Sequence, residues 1–220
     1  MSLIKYINRL SLILNGFFVV IFVFLAIKNS EWLLQKFNSN EKKAPIVFFG
    51  DSIIKKGQWN KVLNRDDIQI SGFGGFTTSH LVWLIDENVI DYQPKICFLE
   101  GGINDIGVGI PIERIKLNYK CLIDTLVSNN IIPVIQSTLY QENNPQSKIM
   151  VDSLNQFLKS YCSTNSLYFL DINSKLSNEK GLKSKYSRDG THITESAYIV
   201  WGNEINKVLK DVNINFSHID

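Results

Sequence analysis

The sequence predicts a three-layer α/β/α sandwich around a doubly wound parallel sheet of five strands. From Ala44 onward, five short apolar runs alternate with segments of helical periodicity, which is the pattern of successive βαβ units. The runs are continuously apolar rather than alternating, so helices are expected to cover both faces of the sheet. A chain of 220 residues with 45% hydrophobic and 20% charged residues is long enough for one domain with its own core.

The expected strands are short, and the expected helices are three to five turns long. The strands cover residues 46–49, 68–70, 96–99, 131–135 and 167–170. The helices cover residues near 77–90, 112–129, 148–162 and 194–210, the last with Thr194 as N-cap. We expect the strands to follow the flavodoxin-like order.

An uncharged apolar run lies near the amino terminus. Residues 10–27 contain 18 such positions, just enough to cross a bilayer core at about 1.5 Å per residue. Lys5 and Arg9 precede the run and no small-residue cleavage site ends it, which favours an uncleaved signal anchor over a cleaved signal peptide. A buried core helix is the other structural interpretation. Because a short amino-terminal tail usually stays inside, the globular part is expected outside the cytoplasm.

The expected domain organisation follows from these patterns. It consists of a short tail, a transmembrane anchor, a linker, a globular domain and a second tail, over residues 1–9, 10–27, 28–44, 45–212 and 213–220. Within the linker region, residues 29–43 are expected to form an interfacial helix and tether.

Composition excludes several classes of function. The net charge is +2 and no basic run exceeds two residues, so no nucleic-acid partner is expected. Three widely spaced cysteines give neither a disulfide framework nor a zinc site. No cluster of His, Cys and Asp has the spacing of metal ligands, so no metal is expected, and no other cofactor is expected.

Four polar residues carry the chemistry. Ser52 follows the first strand, Asn104 follows the third, and Asp189 and His192 precede the last helix. Strands of a parallel sheet end at one edge, so these residues are expected to meet there. A serine becomes a nucleophile beside a histidine base, an aspartate orients that base, and an amide can stabilise an oxyanion. Each fragment alone is as easily a turn or a helix cap; together they predict a serine hydrolase site.

The fragments also carry a family resemblance. Gly50-Asp51-Ser52-Ile53, Gly75, Gly102-Ile103-Asn104-Asp105 and Asp189-Gly190-Thr191-His192 resemble the four blocks of the SGNH hydrolases, also called the GDSL lipase/esterase family. The departures are mild: Ile53 replaces the family's leucine, and Gly74 competes with Gly75 for the second block.

The resemblance implies a flavodoxin-like sandwich that hydrolyses ester or thioester bonds without a metal. It implies Ser52 as nucleophile, His192 as base and Asp189 as its orienter. It also implies that the Ser52 and Gly75 N–H groups and the Asn104 amide form the oxyanion hole.

The natural substrate is open at this point. An O-acetyl group of a cell-surface glycan, a lysolipid and a thioester all fit, and the apolar run suggests a membrane as partner. One alternative is an O-acyltransferase, in which a sugar hydroxyl replaces water. Another is a catalytically inactive, membrane-tethered binding protein, although such a protein has no need of all four polar residues.

Overall fold

The computed structural model describes residues 3–28 and 43–212, which belong to two compact units, residues 1–42 and 43–220. In the first unit, helix α1 covers Leu3–Lys28. By length and hydropathy, no helix among the described residues qualifies to cross a membrane. The transmembrane helix expected over residues 10–27 is therefore not supported. The interfacial helix expected within residues 29–43 and the tail at 213–220 lie outside the described residues, apart from residue 43.

The second unit is built on a parallel sheet of five strands in the order β2-β1-β3-β4-β5. The strands are β1 (Ile46–Gly50), β2 (Ile68–Gly72), β3 (Ile96–Glu100), β4 (Ile132–Gln136) and β5 (Tyr168–Leu170). The expected strand number and flavodoxin-like order are confirmed. In the register, Gly50 pairs with Gly72 on one side and with Glu100 on the other, so three strands end at one level.

The helices connect these strands. They are α2 (Ser52–Lys56), α3 (Trp59–Leu63), α4 (Thr78–Asn88), α5 (Ile103–Gly107), α6 (Ile112–Ser128), α7 (Pro145–Thr164), α8 (Asn173–Leu176) and α9 (Glu195–Asp211). A two-stranded antiparallel ribbon, β6 (Ser177–Asn178) and β7 (Gly181–Leu182), follows α8. The four long helices agree with the expected ones. The short helices and the ribbon are absent from the sequence-based prediction, since so few residues show no readable period.

Each face of the sheet has its own core. On one face, Phe48 of β1 stacks on Phe98 of β3 and on Trp59 of α3, with ring centroids 4.9 Å and 4.5 Å apart. On the other face, Val47 and Phe49 pack in a cluster that includes residues of α4, α6 and α7. Alternate residues of β1 are thus buried on opposite faces, which explains its continuously apolar sequence and confirms the three layers.

Removal of residues 1–42 should leave the second unit folded. Ala44 already contacts the rest of this unit, because its N–H donates to the Tyr92 carbonyl at 3.2 Å. We expect the truncated protein to be soluble and its Tm to lie within about 2 °C of that of the full chain. For a domain of this size, such a shift corresponds to a change in unfolding free energy of less than ~1 kcal/mol. Thermal melts of both proteins in the same detergent-containing buffer test this. An insoluble or clearly less stable truncation would mean that the first unit contributes to the fold of the second.

Candidate active site

Ser52, His192 and Asp189 form one hydrogen-bonded chain. Ser52 Oγ lies 3.0 Å from His192 Nε2, and His192 Nδ1 lies 2.7 Å from Asp189 Oδ2. Hydrogen bonds from the backbone and ring of His192 hold the pKa of Asp189 below its usual range, so this carboxylate is ionised and only accepts. The proton on the ring therefore sits on Nδ1, and Nε2 is left to accept from the serine hydroxyl.

The start of α2 fixes Ser52. Asp51 is the N-cap of this helix and accepts the Ile53 N–H through Oδ1 at 2.8 Å. Ser52 is thus the first helical residue, at the edge where β1 ends. Gly50 lets the end of β1 lie close to β3. A Cβ on residue 50 would be only 2.2 Å from the Glu100 carbonyl oxygen.

A tight loop ahead of α9 fixes the histidine and the aspartate. The Thr194 N–H donates to the Tyr186 carbonyl at 2.9 Å, and the Arg188 N–H donates to the His192 carbonyl at 2.8 Å. At the tip of this loop, Asp189 Oδ1 accepts the N–H groups of Thr191 and His192 at 3.2 and 2.8 Å. The loop therefore orients Asp189 and His192 through its own backbone.

The residues expected to form an oxyanion hole lie at the same edge. Among residues 43–212, the backbone N–H groups of Ser52 and Gly75 have no hydrogen-bond acceptor. Gly75 has φ = 76°, a left-handed conformation that suits glycine.

The Asn104 amide, in contrast, is already engaged in this structure. Asn104 Nδ2 donates to the Phe76 carbonyl at 2.9 Å and to Asp51 Oδ2 at a longer 3.4 Å. Asn104 thus lies between the loop that carries Gly75 and the residue that precedes Ser52. The sequence-based prediction included the amide as a donor but not these two competing acceptors.

A second buried aspartate fixes the start of α4. Asp105 accepts from both the N–H and the hydroxyl of Thr78, at 2.8 and 2.5 Å, and Asn118 donates to the same hydroxyl at 2.8 Å. These bonds tie α4 to α5 and α6 just after the Gly75 turn. Asp105 therefore holds the chain in place immediately after the Gly75 turn.

A buried carboxyl pair under the nucleophile is the main feature that the sequence analysis missed. Glu100, the last residue of β3, is fully buried, and neither of its oxygens meets an N–H or O–H donor among residues 43–212. Burial raises the pKa of Glu100 well above its usual range, and the neighbouring Asp51 adds to this. Burial also raises the pKa of Asp51, to about 7. Because Asp51 already accepts two hydrogen bonds, Glu100 is the partner that holds the proton between them.

This pair should make the folded state less stable as pH rises. The unfolded chain releases these protons near pH 4, whereas the folded chain keeps at least one of them towards pH 7. Stability from the pair is complete below the unfolded pKa and is lost as pH rises, by up to about 1.4 kcal/mol per pH unit for each proton.

Urea unfolding of Glu100→Gln between pH 4.5 and 7.5 measures this effect. The glutamine amide can donate to Asp51 without a titrating proton, so the variant should show a shallower decline than the wild type. Glu87→Gln, an exposed position on α4, is the matched control and should keep the wild-type slope. Equal slopes in wild type and Glu100→Gln would show that no proton is held there.

Across residues 3–28 and 43–212, no three His, Cys, Asp or Glu side chains are grouped to bind an ion.

Comparison with known proteins gives a consistent result. The family model of the GDSL-like lipase/acylhydrolase family matches residues 48–199. A Bacteroides fragilis protein assigned to the acylhydrolases is 26% identical, with a TM-score of 0.68 over 80% of this chain and 89% of that one. A GDSL-like lipase from Bacteroides thetaiotaomicron has the same fold at 21% identity, with a TM-score of 0.70 over 79% of this chain and 90% of its own.

Curated relatives match a shorter stretch. This chain is 33% identical to an N-acylneuraminate cytidylyltransferase of Streptococcus agalactiae over 103 residues, which are 46% of this chain. That stretch spans 24% of the relative's length, so the relative's named activity does not carry over. The family model, in contrast, covers most of the chain and supports a hydrolase that acts on esters. This chain belongs to the GDSL-like lipase/acylhydrolase family.

Proposed function

We propose that the protein is a serine esterase that works through an acyl-enzyme. The observation that carries this proposal is the continuous hydrogen-bonded chain from Ser52 through His192 to Asp189. Ser52 is the nucleophile, His192 the general base and Asp189 the residue that keeps the imidazole in the required tautomer.

The reaction runs in two halves. His192 Nε2 takes the hydroxyl proton as Ser52 Oγ attacks the ester carbonyl, and it then gives that proton to the leaving alcohol. Water next attacks the acyl-enzyme, again through His192, and releases the acid while the Ser52 hydroxyl is restored.

The free N–H groups of Ser52 and Gly75 are proposed as two donors to the tetrahedral oxyanion. Asn104 is the third: a charged oxyanion competes for the hydrogen that makes the long 3.4 Å contact to Asp51, while the 2.9 Å bond to Phe76 holds the amide in place. Each such donor is worth about 2.7–4 kcal/mol of barrier in a preorganised site.

An O-acetyl group on a sugar is the substrate that we favour. The support is chemical: the curated relatives are named for an N-acylneuraminate, a sugar acid with several hydroxyls that can carry acyl groups. A lysolipid would need a site for a long acyl chain, a thioester would need a site for its thiol portion, and an acyltransferase would need an acceptor hydroxyl in place of water.

A panel of p-nitrophenyl esters from acetate to palmitate tests the proposal, together with labelling by a fluorophosphonate. We expect turnover of the short esters, covalent labelling of Ser52 and no inhibition by EDTA. A preference for palmitate would favour a lipid substrate, and acyl transfer to added sugar in preference to water would favour the acyltransferase. No labelling and no turnover of any ester would contradict the serine mechanism.

We further propose that this domain lies outside the cytoplasm. The proposal rests on the uncharged sequence of residues 10–27 and on Lys5 and Arg9 before it. Protease added to intact cells should then digest the domain or the segment that precedes it. Complete protection before permeabilisation, with digestion after it, would reverse the proposed orientation.

A further inference from the structure

A cavity of about 340 Å³ is lined by residues from the helix that begins at Ser52, from α3 and from the segment around His192. Residues of α2 and α3 form one wall, and residues 188–199, from the loop and the start of α9, form the other. The Tyr198 hydroxyl donates to the Ile53 carbonyl at 2.6 Å, which ties the two walls together at their base. Small-ligand pockets measure roughly 300–1,000 Å³, so the volume of this cavity is near the lower end of that range.

The charged lining of the cavity is mostly positive. The lining includes three cationic side chains and one carboxylate, which are Lys56, Lys61, Arg188 and Glu195. Glu195 is paired with Lys61 at 3.3 Å. Within residues 43–212, no carboxylate pairs with Lys56 or with Arg188. Two cations therefore remain available to an anionic ligand.

The cavity lining includes residues that are close in sequence to Ser52 and His192. Lys56 lies four residues after Ser52 in α2, which places it one helical turn away on the same side of the helix. Arg188 precedes Asp189, and Ile193 follows His192, within the loop that the Arg188 N–H closes on the His192 carbonyl. The helix and the loop that carry Ser52 and His192 thus also contribute residues to the cavity lining.

The remaining lining suits a sugar ring rather than an ion alone. Val62, Ile193 and Ile199 contribute apolar surface next to the cations. An inorganic anion would use only the charges, whereas a substituted sugar ring uses both kinds of surface.

We propose that this cavity binds the anionic group of an acidic sugar whose ester is presented to Ser52. The proposal rests on the proposed esterase function and adds the charge of its substrate. It assigns to Lys56 and Arg188 the role of substrate-binding residues that set specificity for anionic esters.

Three acetylated sugars that differ only at C6 test the proposal. The three sugars are glucuronic acid, glucose 6-phosphate and glucose, each acetylated on the same hydroxyl. They carry a carboxylate, a phosphate and a neutral group at C6, respectively. We expect kcat/KM to be roughly tenfold higher for at least one anionic ester than for the neutral one, mainly through KM. The advantage should shrink as salt is raised, because partly exposed charges are screened.

Variants connect this preference to the cavity. Lys56→Gln and Arg188→Gln should each lower the ratio of anionic to neutral kcat/KM roughly fivefold, the range of a partly exposed charge pair. Lys207→Gln removes an exposed lysine of α9 outside the cavity and should leave the ratio unchanged. Thermal melts of all variants exclude a loss of fold.

The outcomes separate the two proposals. Turnover of p-nitrophenyl acetate without any preference for the anionic sugars, or a preference that both variants keep, would overturn this inference and leave the esterase in place. A failure of the wild type to hydrolyse any ester would overturn the esterase function, and this inference with it.

Discussion

Ser52→Ala should lower kcat by at least ~10³ and abolish labelling by a fluorophosphonate. In the proposed mechanism the Ser52 hydroxyl oxygen forms the acyl-enzyme, and neither His192 nor Asp189 can replace it. The variant should fold normally. Ser52 is partly exposed, and the N-cap contact from Asp51 to Ile53 does not involve its side chain.

Ser196→Ala provides the matched control. This serine is exposed in the first turn of α9, close in sequence to His192, and its hydroxyl is hydrogen-bonded to the Thr194 hydroxyl at 2.9 Å. It should keep both activity and labelling. Full activity in Ser52→Ala would refute the serine mechanism outright.

A double variant makes the test sharper. His192→Ala should cost about as much as Ser52→Ala, and the two changes together should cost little more than either one. Groups that act as one unit in catalysis lose their whole effect with the first removal. Additive losses would mean that Ser52 and His192, although 3.0 Å apart, act independently.

The fold and the positions of the reactive residues were predictable because each depends on local pattern. Continuous apolar runs such as Ile46–Gly50 and Ile96–Glu100 indicate strands covered on both faces. Parallel strands end at one edge, so Ser52 and Asn104 had to be neighbours once the strand order was inferred. The edge at which parallel strands end does not depend on how the side chains pack.

What the sequence could not predict depends on burial and on long-range contacts. Glu100 precedes two glycines and resembles an ordinary turn residue, yet the sheet buries it beside Asp51. Lys56 and Arg188 are 132 positions apart in the chain and line one cavity only because α9 packs beside α2 and α3. A glutamate at the end of the third apolar run, beside the strand that Asp51 follows, is the one sequence signal that could have been noticed.

The buried pair also bears on the oxyanion site. Asp51 Oδ2 is the weaker of the two acceptors that Asn104 contacts, and its carboxyl is coupled to the proton on Glu100. If Asn104 donates to the oxyanion as proposed, the proton held by Glu100 would influence how readily Asn104 turns one hydrogen towards a substrate. Glu100 would then be a positioning residue, because it would act through Asp51 and Asn104.

Asn104→Ala should reduce kcat by about 10²–10³, or 2.7–4 kcal/mol, and change KM little. The oxyanion exists only in the transition state, so a group that donates to it lowers the barrier without binding the substrate more tightly. Asn203→Ala, which removes an exposed amide from α9, is the control and should behave as the wild type.

The structure adds a complication that the experiment must address. Asn104 also holds the Phe76 carbonyl, so its loss can displace the neighbouring Gly75 N–H as well as remove one donor. Both effects act on the oxyanion, so both should lower kcat. Both should also reduce the affinity for a boronate that mimics the tetrahedral intermediate more than the affinity for a substrate-like amide. A rise in KM alone, with boronate affinity unchanged, would show that Asn104 binds substrate or supports the fold. The oxyanion would then be stabilised by the N–H groups of Ser52 and Gly75 alone.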